Sequence, residues 1–227
     1  MDGLGAHAAF RIALIEMFGH PVARLRSYIG HRLTEGYGLT SALMARILAD
    51  APRVSVLVTA DCGSSDEPRI GRLKAAGIDV LVTDHHEVPG GQAPPSSYAC
   101  VNPQRVDCRY ADKAVAGGMV LWLLLKSVHE VLGEAGHGRS SGAQLDGLLD
   151  FVACSTVADC VSLASRNNRA VVRAGLALMN GAPRPCWKAF AQLNETAVFT
   201  AQTIAYGIAP RINARTRLSD PFAALHY

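Results

Sequence analysis

Two apolar segments of similar design, each running straight onto an acid, do most to restrict the folds open to this chain. Val54-Ser55-Val56-Leu57-Val58-Thr59-Ala60 leads to Asp61, and Asp79-Val80-Leu81-Val82-Thr83 leads to Asp84-His85-His86. Between them, residues 65–76 carry apolar side chains at helical spacing, with Gly77 as the stop signal. Strand, helix and strand in this order form a βαβ unit, whose strands are parallel and whose crossover is right-handed. Asp61 and Asp84 therefore leave the same edge of one sheet. In parallel α/β sheets that carboxyl edge is where ligand chemistry sits.

The alternation continues on both sides. Residues 8–18 read as a helix closed by Gly19, residues 22–28 as a short strand, and Thr40 as the N-cap of a helix running through Ala49. Residues 89–95 are a Gly- and Pro-rich loop, residues 99–101 a short strand, and residues 116–132 an apolar helix. A flexible connection is expected over 133–142. Residues 145–158 form a buried segment ending on a third acid, Asp159. Helices are expected over 168–179 and 196–205, with a turn near Pro210. The fold class is α/β, a parallel sheet flanked by helices.

A chain of 227 residues with 49% apolar and 18% charged residues can bury a sizeable core, as one domain or one domain with an appendage. The net charge of +3 permits a nucleic-acid partner without proving one. The six cysteines form no C-x-x-C pair, so no zinc knuckle is expected; they read as small core residues in a reducing, cytoplasmic setting. Met1-Asp2-Gly3-Leu4 lacks the basic and apolar regions of a signal peptide, and the apolar run at 120–125 is too short to cross a bilayer.

Three acids (Asp61, Asp84, Asp159) and two histidines (His85, His86) thus converge if the sheet is parallel. Carboxylate and imidazole together suit Mn²⁺, Fe²⁺ or Zn²⁺, and paired cations activate water for phosphoryl chemistry. Taken singly, each residue has a plainer reading. Asp61, ahead of Cys62-Gly63-Ser64-Ser65, could be a helix N-cap, and His86 a surface residue. Taken jointly, a site explains them better.

The motifs Thr83-Asp84-His85-His86, Ala60-Asp61-Cys62-Gly63 and Ser155-Thr156-Val157-Ala158-Asp159 resemble those of the DHH phosphoesterase family, most closely its RecJ branch of single-stranded-DNA-specific 5′→3′ exonucleases. Arg32-Leu33-Thr34-Glu35-Gly36-Tyr37-Gly38-Leu39, Val101-Asn102-Pro103, Ala116-Gly117-Gly118, Asn168-Arg169 and Gly207-Ile208-Ala209-Pro210-Arg211-Ile212-Asn213-Ala214 support it in collinear order. The resemblance implies two Mn²⁺ or Mg²⁺ ions bridged by Asp61, with Asp2, His85 and Asp159 holding one of them. It implies that His86 faces the scissile phosphate and that Asp84 orients the histidines, so that the catalytic set is Asp61, Asp84, His85 and His86. Arg211, Asn213 and Arg217 are the expected phosphate-contacting residues, a surface salt bridge being the plainer reading of Arg217. The partner it implies is single-stranded DNA, in repair and recombination, alongside a single-strand-binding protein or helicase and without a membrane.

The family's first motif reads D-x-D-x-D-G, whereas this chain opens at Met1-Asp2-Gly3. By the resemblance, the first strand and the earlier acids are lacking, the second metal site is incomplete, and a sheet edge or apolar surface is left uncovered. Residues 1–206 would form the catalytic domain and 207–227 the start of a connector toward a further domain that is lacking. Arg215 and Thr216 stand where the family has small residues. Two other readings stay open: a phosphodiesterase for short oligonucleotides or cyclic dinucleotides, and a catalytically impaired nucleic-acid-binding or scaffold relative.

Overall fold

The computed structural model describes residues 1–50, 54–137, 142–215, 217 and 221–224. Three parallel strands, β1 (Val56–Ala60), β2 (Asp79–Thr83) and β3 (Ala99–Val101), lie side by side in that order. Val56 pairs with Asp79, Ala60 with Thr83, and Thr83 with Val101, so the strands end level with one another. The ladder runs one residue further: Asp61 N–H donates to Thr83 at 3.0 Å and Asp84 N–H to Val101 at 3.1 Å. This register is what brings the acids of both strand ends to one edge.

Helix α1 (Asp2–Ile12) opens the chain, and α2 (Ser41–Ala49) and α3 (Glu67–Ala75) follow local chain signals. The Thr40 hydroxyl caps α2 by accepting from Leu43 N–H at 3.2 Å. Gly77, at φ +77°, turns the chain out of α3 into β2, and Ile70 and Leu73 of α3 pack with Val80 and Val82 of β2 in a core shared with Leu43, Met44 and Ile47 of α2. The expected βαβ unit is thus present.

A helical layer covers the other face: α4 (Gly117–Glu134), α5 (Gly142–Asp146), α6 (Leu149–Ala158), α7 (Arg166–Gly181), α8 (Pro185–Leu193) and α9 (Ala209–Arg215). Helix α1 packs against both α4 and α6. Most of α6 is buried, including the polar Asp150, Ser155 and Thr156, which is why its sequence shows no exposed polar face. Asp159 follows it at the C-cap, so the third acid comes off a helix, and Cys160 at φ +57° ends the turn.

Several expectations need correction. Helix α1 begins at Asp2, six residues before the expected start, and continues as a π-helical turn over Ala13–Met17. Its first turn is Gly- and Ala-rich, because Gly5 sits against Ser155 of α6, and this hides the apolar periodicity there. Residues 22–28 hold a 3₁₀ turn (Val22–Arg24) instead of a strand, since they have no ladder partner. Residues 196–200 are not helical. Pro210 lies inside an unbroken helical run over 201–215, directly after the π-helical turn Thr203–Ile208, whose wider winding accommodates a residue without an N–H. Helix α8, unforeseen, starts on Pro185 and is anchored by Trp187 Nε1 and Arg184 Nε, each donating to the buried Asp150 carboxylate at 2.7 Å. The middle of the 133–142 connection and Thr216 lie outside the described residues.

Of the cysteines, Cys100 and Cys154 belong to apolar cores, while Cys160 is exposed; all six are free thiols. Among the described residues no helix is long and apolar enough to cross a membrane. The outer edge of β1 carries no strand among the described residues, and Val56 is 58% exposed. Beside that edge runs a cavity of about 860 Å³, walled by Leu4 and His7 of α1, Tyr28 and Gly30, and Leu43 and Ile47 of α2.

Candidate metal centre

Asp61 is held in the left-handed region at φ +64°, a conformation that a residue with a side chain seldom adopts without support. Its N–H continues the sheet, and its carbonyl accepts from Tyr37 Oη at 2.7 Å. Its Oδ2 accepts from Gly3 N–H at 3.0 Å. Gly117, the first residue of α4, packs so close that a Cβ there would lie 2.8 Å from Asp61 Cβ.

Asp2 is buried at the start of α1, against the N-terminus of α4. Gly117 N–H donates to its Oδ2 and Gly118 N–H to its Oδ1, both at 2.7 Å. The free N–H groups at a helix start favour a carboxylate. Burial and the neighbouring Asp61 nevertheless push its carboxyl up to about 7.

His85 stands among three acids. Its Nε2 lies 3.1 Å from Asp61 Oδ1, 3.6 Å from Asp159 Oδ2 and 3.7 Å from Asp2 Oδ2. Burial opposes its charge, but Asp61, Asp2 and Asp159 outweigh it and push the imidazole up to about 9. Burial likewise raises the Asp159 carboxyl.

Asp84 plays a different part. It is almost fully buried and accepts from Ser64 N–H (3.0 Å), His85 N–H (2.8 Å) and His86 N–H (3.2 Å), with His86 Nδ1 at 2.7 Å. Against burial, these hydrogen bonds, that of His86 foremost, hold its carboxyl at about 2. The same contact raises the His86 imidazole. With Nδ1 tied to Asp84, Nε2 is the ring nitrogen left for the cleft. Asn102 Nδ2 braces this loop by donating to Ser64 Oγ (2.7 Å) and to the His86 carbonyl (2.9 Å).

These groups open onto a cleft of about 320 Å³, lined among others by Arg32, Tyr37, His86, Asp159 and Asn213. Asn213 Oδ1 accepts from the Met1 α-amine, and burial lowers that amine's pKa. Neither Arg211 nor Arg217 lines the cleft. Arg211 Nη1 donates to the Gly207 carbonyl at 2.6 Å and the guanidinium covers Phe190, while Arg217 is exposed beyond α9. Tyr37, Arg32 and the Gly117-Gly118 amides were not singled out as site residues by sequence reasoning. Which of their atoms face the cleft depends on the turn and the helix start they occupy.

The donor set fits a divalent cation. Asp61 Oδ1 and His85 Nε2 are both buried, and neither has a hydrogen-bond partner. Such a loss is costly unless another partner satisfies both atoms. Asp2, His85 and Asp159 bring ligand atoms within 4.8 Å of one another, and so do Asp61, His85 and His86. Mixed oxygen and imidazole donors suit first-row divalent metals.

Residues 1–156 match the family model described as "DHH family, N-terminal domain". Among curated proteins, the single-stranded-DNA-specific exonuclease RecJ of Dickeya dadantii is 35% identical over 225 residues, covering 96% of this chain and 38% of that protein. RecJ of Thermus thermophilus is 34% identical over 89% of this chain and 28% of its own length, and RecJ of Escherichia coli 32% over 85% and 33%. The chain thus spans about a third of the length of these relatives. A crystal structure of exonuclease RecJ bound to manganese superposes with a TM-score of 0.81 at 31% identity, covering 99% of this chain and 53% of that one. RecJ from Thermus thermophilus in complex with Mn²⁺ gives 0.71 at 27% identity, covering 99% and 30%.

Proposed function

This chain belongs to the DHH family, and from that premise we propose that it forms the catalytic core of a RecJ-like 5′→3′ exonuclease, hydrolysing phosphodiester bonds of single-stranded DNA with Mn²⁺ or Mg²⁺. The observation that carries the reading is the buried, unpartnered pair Asp61 Oδ1 and His85 Nε2 inside a cluster of acids. Both structural relatives named above are RecJ proteins with manganese bound, and the curated relatives are single-stranded-DNA exonucleases.

In this reading Asp2, Asp61, His85 and Asp159 hold a cation, and His86 belongs to the catalytic face. A bound divalent cation supplies Lewis-acid stabilisation of the phosphodiester and a lowered pKa for water. The protein's own part is positioning and proton placement. The α4 N-terminus holds Asp2, the sheet edge presents Asp61, and Asp84 fixes both histidines. With Nδ1 held by Asp84, His86 Nε2 is placed to donate a hydrogen bond to a phosphate oxygen in the cleft. Asn213 reaches the same cleft, and Arg211 and Arg217 contact the strand farther out. Residues 1–206 are then the catalytic domain and 207–227 the start of a connector. The setting is cytoplasmic, in repair and recombination, with a single-strand-binding protein or helicase as partner.

The test compares long 5′-phosphorylated single strands with dinucleotides and cyclic dinucleotides as substrates in Mn²⁺. Release of mononucleotides from the long strand, abolished in Asp61→Ala, is the expected result. Preference for the dinucleotides replaces DNA with a short substrate. Tight Mn²⁺ binding without turnover of any of them leaves a scaffold.

A further inference from the structure

Tyr37 lies in a turn between two left-handed glycines, Gly36 (φ +87°) and Gly38 (φ +78°). That turn carries its ring across the mouth of the cleft. One edge faces His86, with centroids 6.2 Å apart at 73°, and the Arg32 guanidinium covers the ring at 5.0 Å. The residue is 54% exposed, yet its hydroxyl reaches inward. Tyr37 Oη donates to the Asp61 carbonyl at 2.7 Å and lies 3.3 Å from Asp61 Oδ2.

The partner it chooses is the informative part. Asp61 is one of three non-glycine residues at positive φ among those described; of the other two, Cys160 directly follows Asp159 of the same centre and Glu195 lies in the loop after α8. A disfavoured backbone persists where surrounding contacts over-determine it. Here the sheet fixes the N–H side of Asp61, Gly117 leaves room for its Cβ, and Tyr37 fixes the carbonyl side. The next residue is tied down on its far side, Cys62 bridging to Thr83 and its carbonyl accepting from Thr59 Oγ1 at 2.7 Å, so the Tyr37 hydroxyl is the contact that sets the tilt of the Asp61 carbonyl between two fixed ends.

We propose that Tyr37 is a positioning residue for the metal centre, its hydroxyl locking the left-handed backbone of Asp61 so that Oδ1 points at the position shared with His85. The inference rests on Asp61 being a cation ligand, and is independent of which phosphodiester is cut.

Mn²⁺ affinity of the whole chain, measured by calorimetry for wild type, Tyr37→Phe and Tyr37→Ala, tests this, together with thermal midpoints in chelator. Phe keeps the ring under Arg32 and loses only the hydroxyl. Both variants are expected to bind Mn²⁺ about tenfold more weakly, the size of one hydrogen bond, with chelated midpoints that still lie well above the temperature of the binding assay. Any nuclease activity should fall in kcat with KM for the strand kept in Tyr37→Phe. Wild-type Mn²⁺ affinity in Tyr37→Phe overturns the proposal, as does a chelated midpoint so low that the weaker binding only reports unfolded chain. Should Tyr37→Ala fail to fold, the Phe variant decides alone. A wild type that binds Mn²⁺ but cuts no DNA removes the nuclease reading and leaves this inference standing; a wild type that binds no Mn²⁺ removes both.

Discussion

His85 Nε2 and Asp61 Oδ1 lie 3.1 Å apart, buried, each without a hydrogen-bond partner. Without a cation the imidazole and the carboxylate face each other as an ion pair lacking hydrogen-bond geometry, and a divalent cation that takes the proton's place joins both atoms. Mn²⁺ should therefore stabilise the fold. At a free concentration one hundred times its Kd, the gain is about 2.7 kcal/mol. In a chain of this size that corresponds to a rise of roughly 5–10 °C in the melting midpoint. Differential scanning fluorimetry with Mn²⁺ and then chelator reads it directly, and Asp61→Ala should show no shift.

Gly117 tests the close approach behind Asp61. A methyl group there would stand 2.8 Å from Asp61 Cβ and 2.9 Å from Oδ1. Gly117→Ala should cost about 1–3 kcal/mol in urea unfolding, in the range of other overpacked sites. It should also weaken Mn²⁺ binding, because the atom displaced is the ligand itself. A fall in stability with full metal affinity would mean that α4 moves and Asp61 does not.

Asp84 accepts from three backbone N–H groups and from the His86 ring, and its carboxyl is held at about 2. Asp84→Asn keeps an oxygen for part of this network but loses the charge that fixes His86. Supporting residues of this type are worth 10–100-fold or so in activity or metal affinity. Single-turnover kinetics should show that loss in the chemical rate, with substrate affinity nearly kept.

His7 gives the fold a sensitivity to acid away from the centre. Burial first, and then Arg11, depress its imidazole from 6.5 to about 4, with Ser27 Oγ 2.9 Å from Nε2. Between those values the unfolded chain binds more protons, so stability rises with pH. The contribution is full above pH 6.5 and is lost as pH falls toward 4, amounting to about 3 kcal/mol at most. Urea midpoints across that range should decline in wild type and decline less in His7→Gln.

The sheet was legible because its signals are local. Asp61 and Asp84 each follow an apolar strand, and Gly77 marks the end of the helix between them, so their common edge follows from the βαβ rule alone. Asp159 was legible as an acid after a buried segment, though a helix supplies it. What escaped was tertiary. Nothing near Asp2 announces that its carboxylate meets the start of a helix 115 residues away. The left-handed backbone of Asp61 and the reach of Tyr37 depend on two turns meeting. Residues 22–28 look like a strand by composition, but a ladder needs a neighbour, and here the cavity beside β1 takes that place. Pro210 reads as a turn until the wide helical turn before it is seen.

The residues around His85 come from positions 2, 61, 85 and 159, on α1, two strand ends and the end of α6. No short stretch of chain can grip an ion by itself, so the ion has nothing to nucleate while the chain is still open. Long loops must close first, at an entropic cost that the ion does not lower. Interactions absent from a folding transition state act on unfolding alone. Manganese should therefore leave the refolding rate of this chain nearly unchanged and slow its unfolding, acting as a latch on a finished structure and never as a template for one.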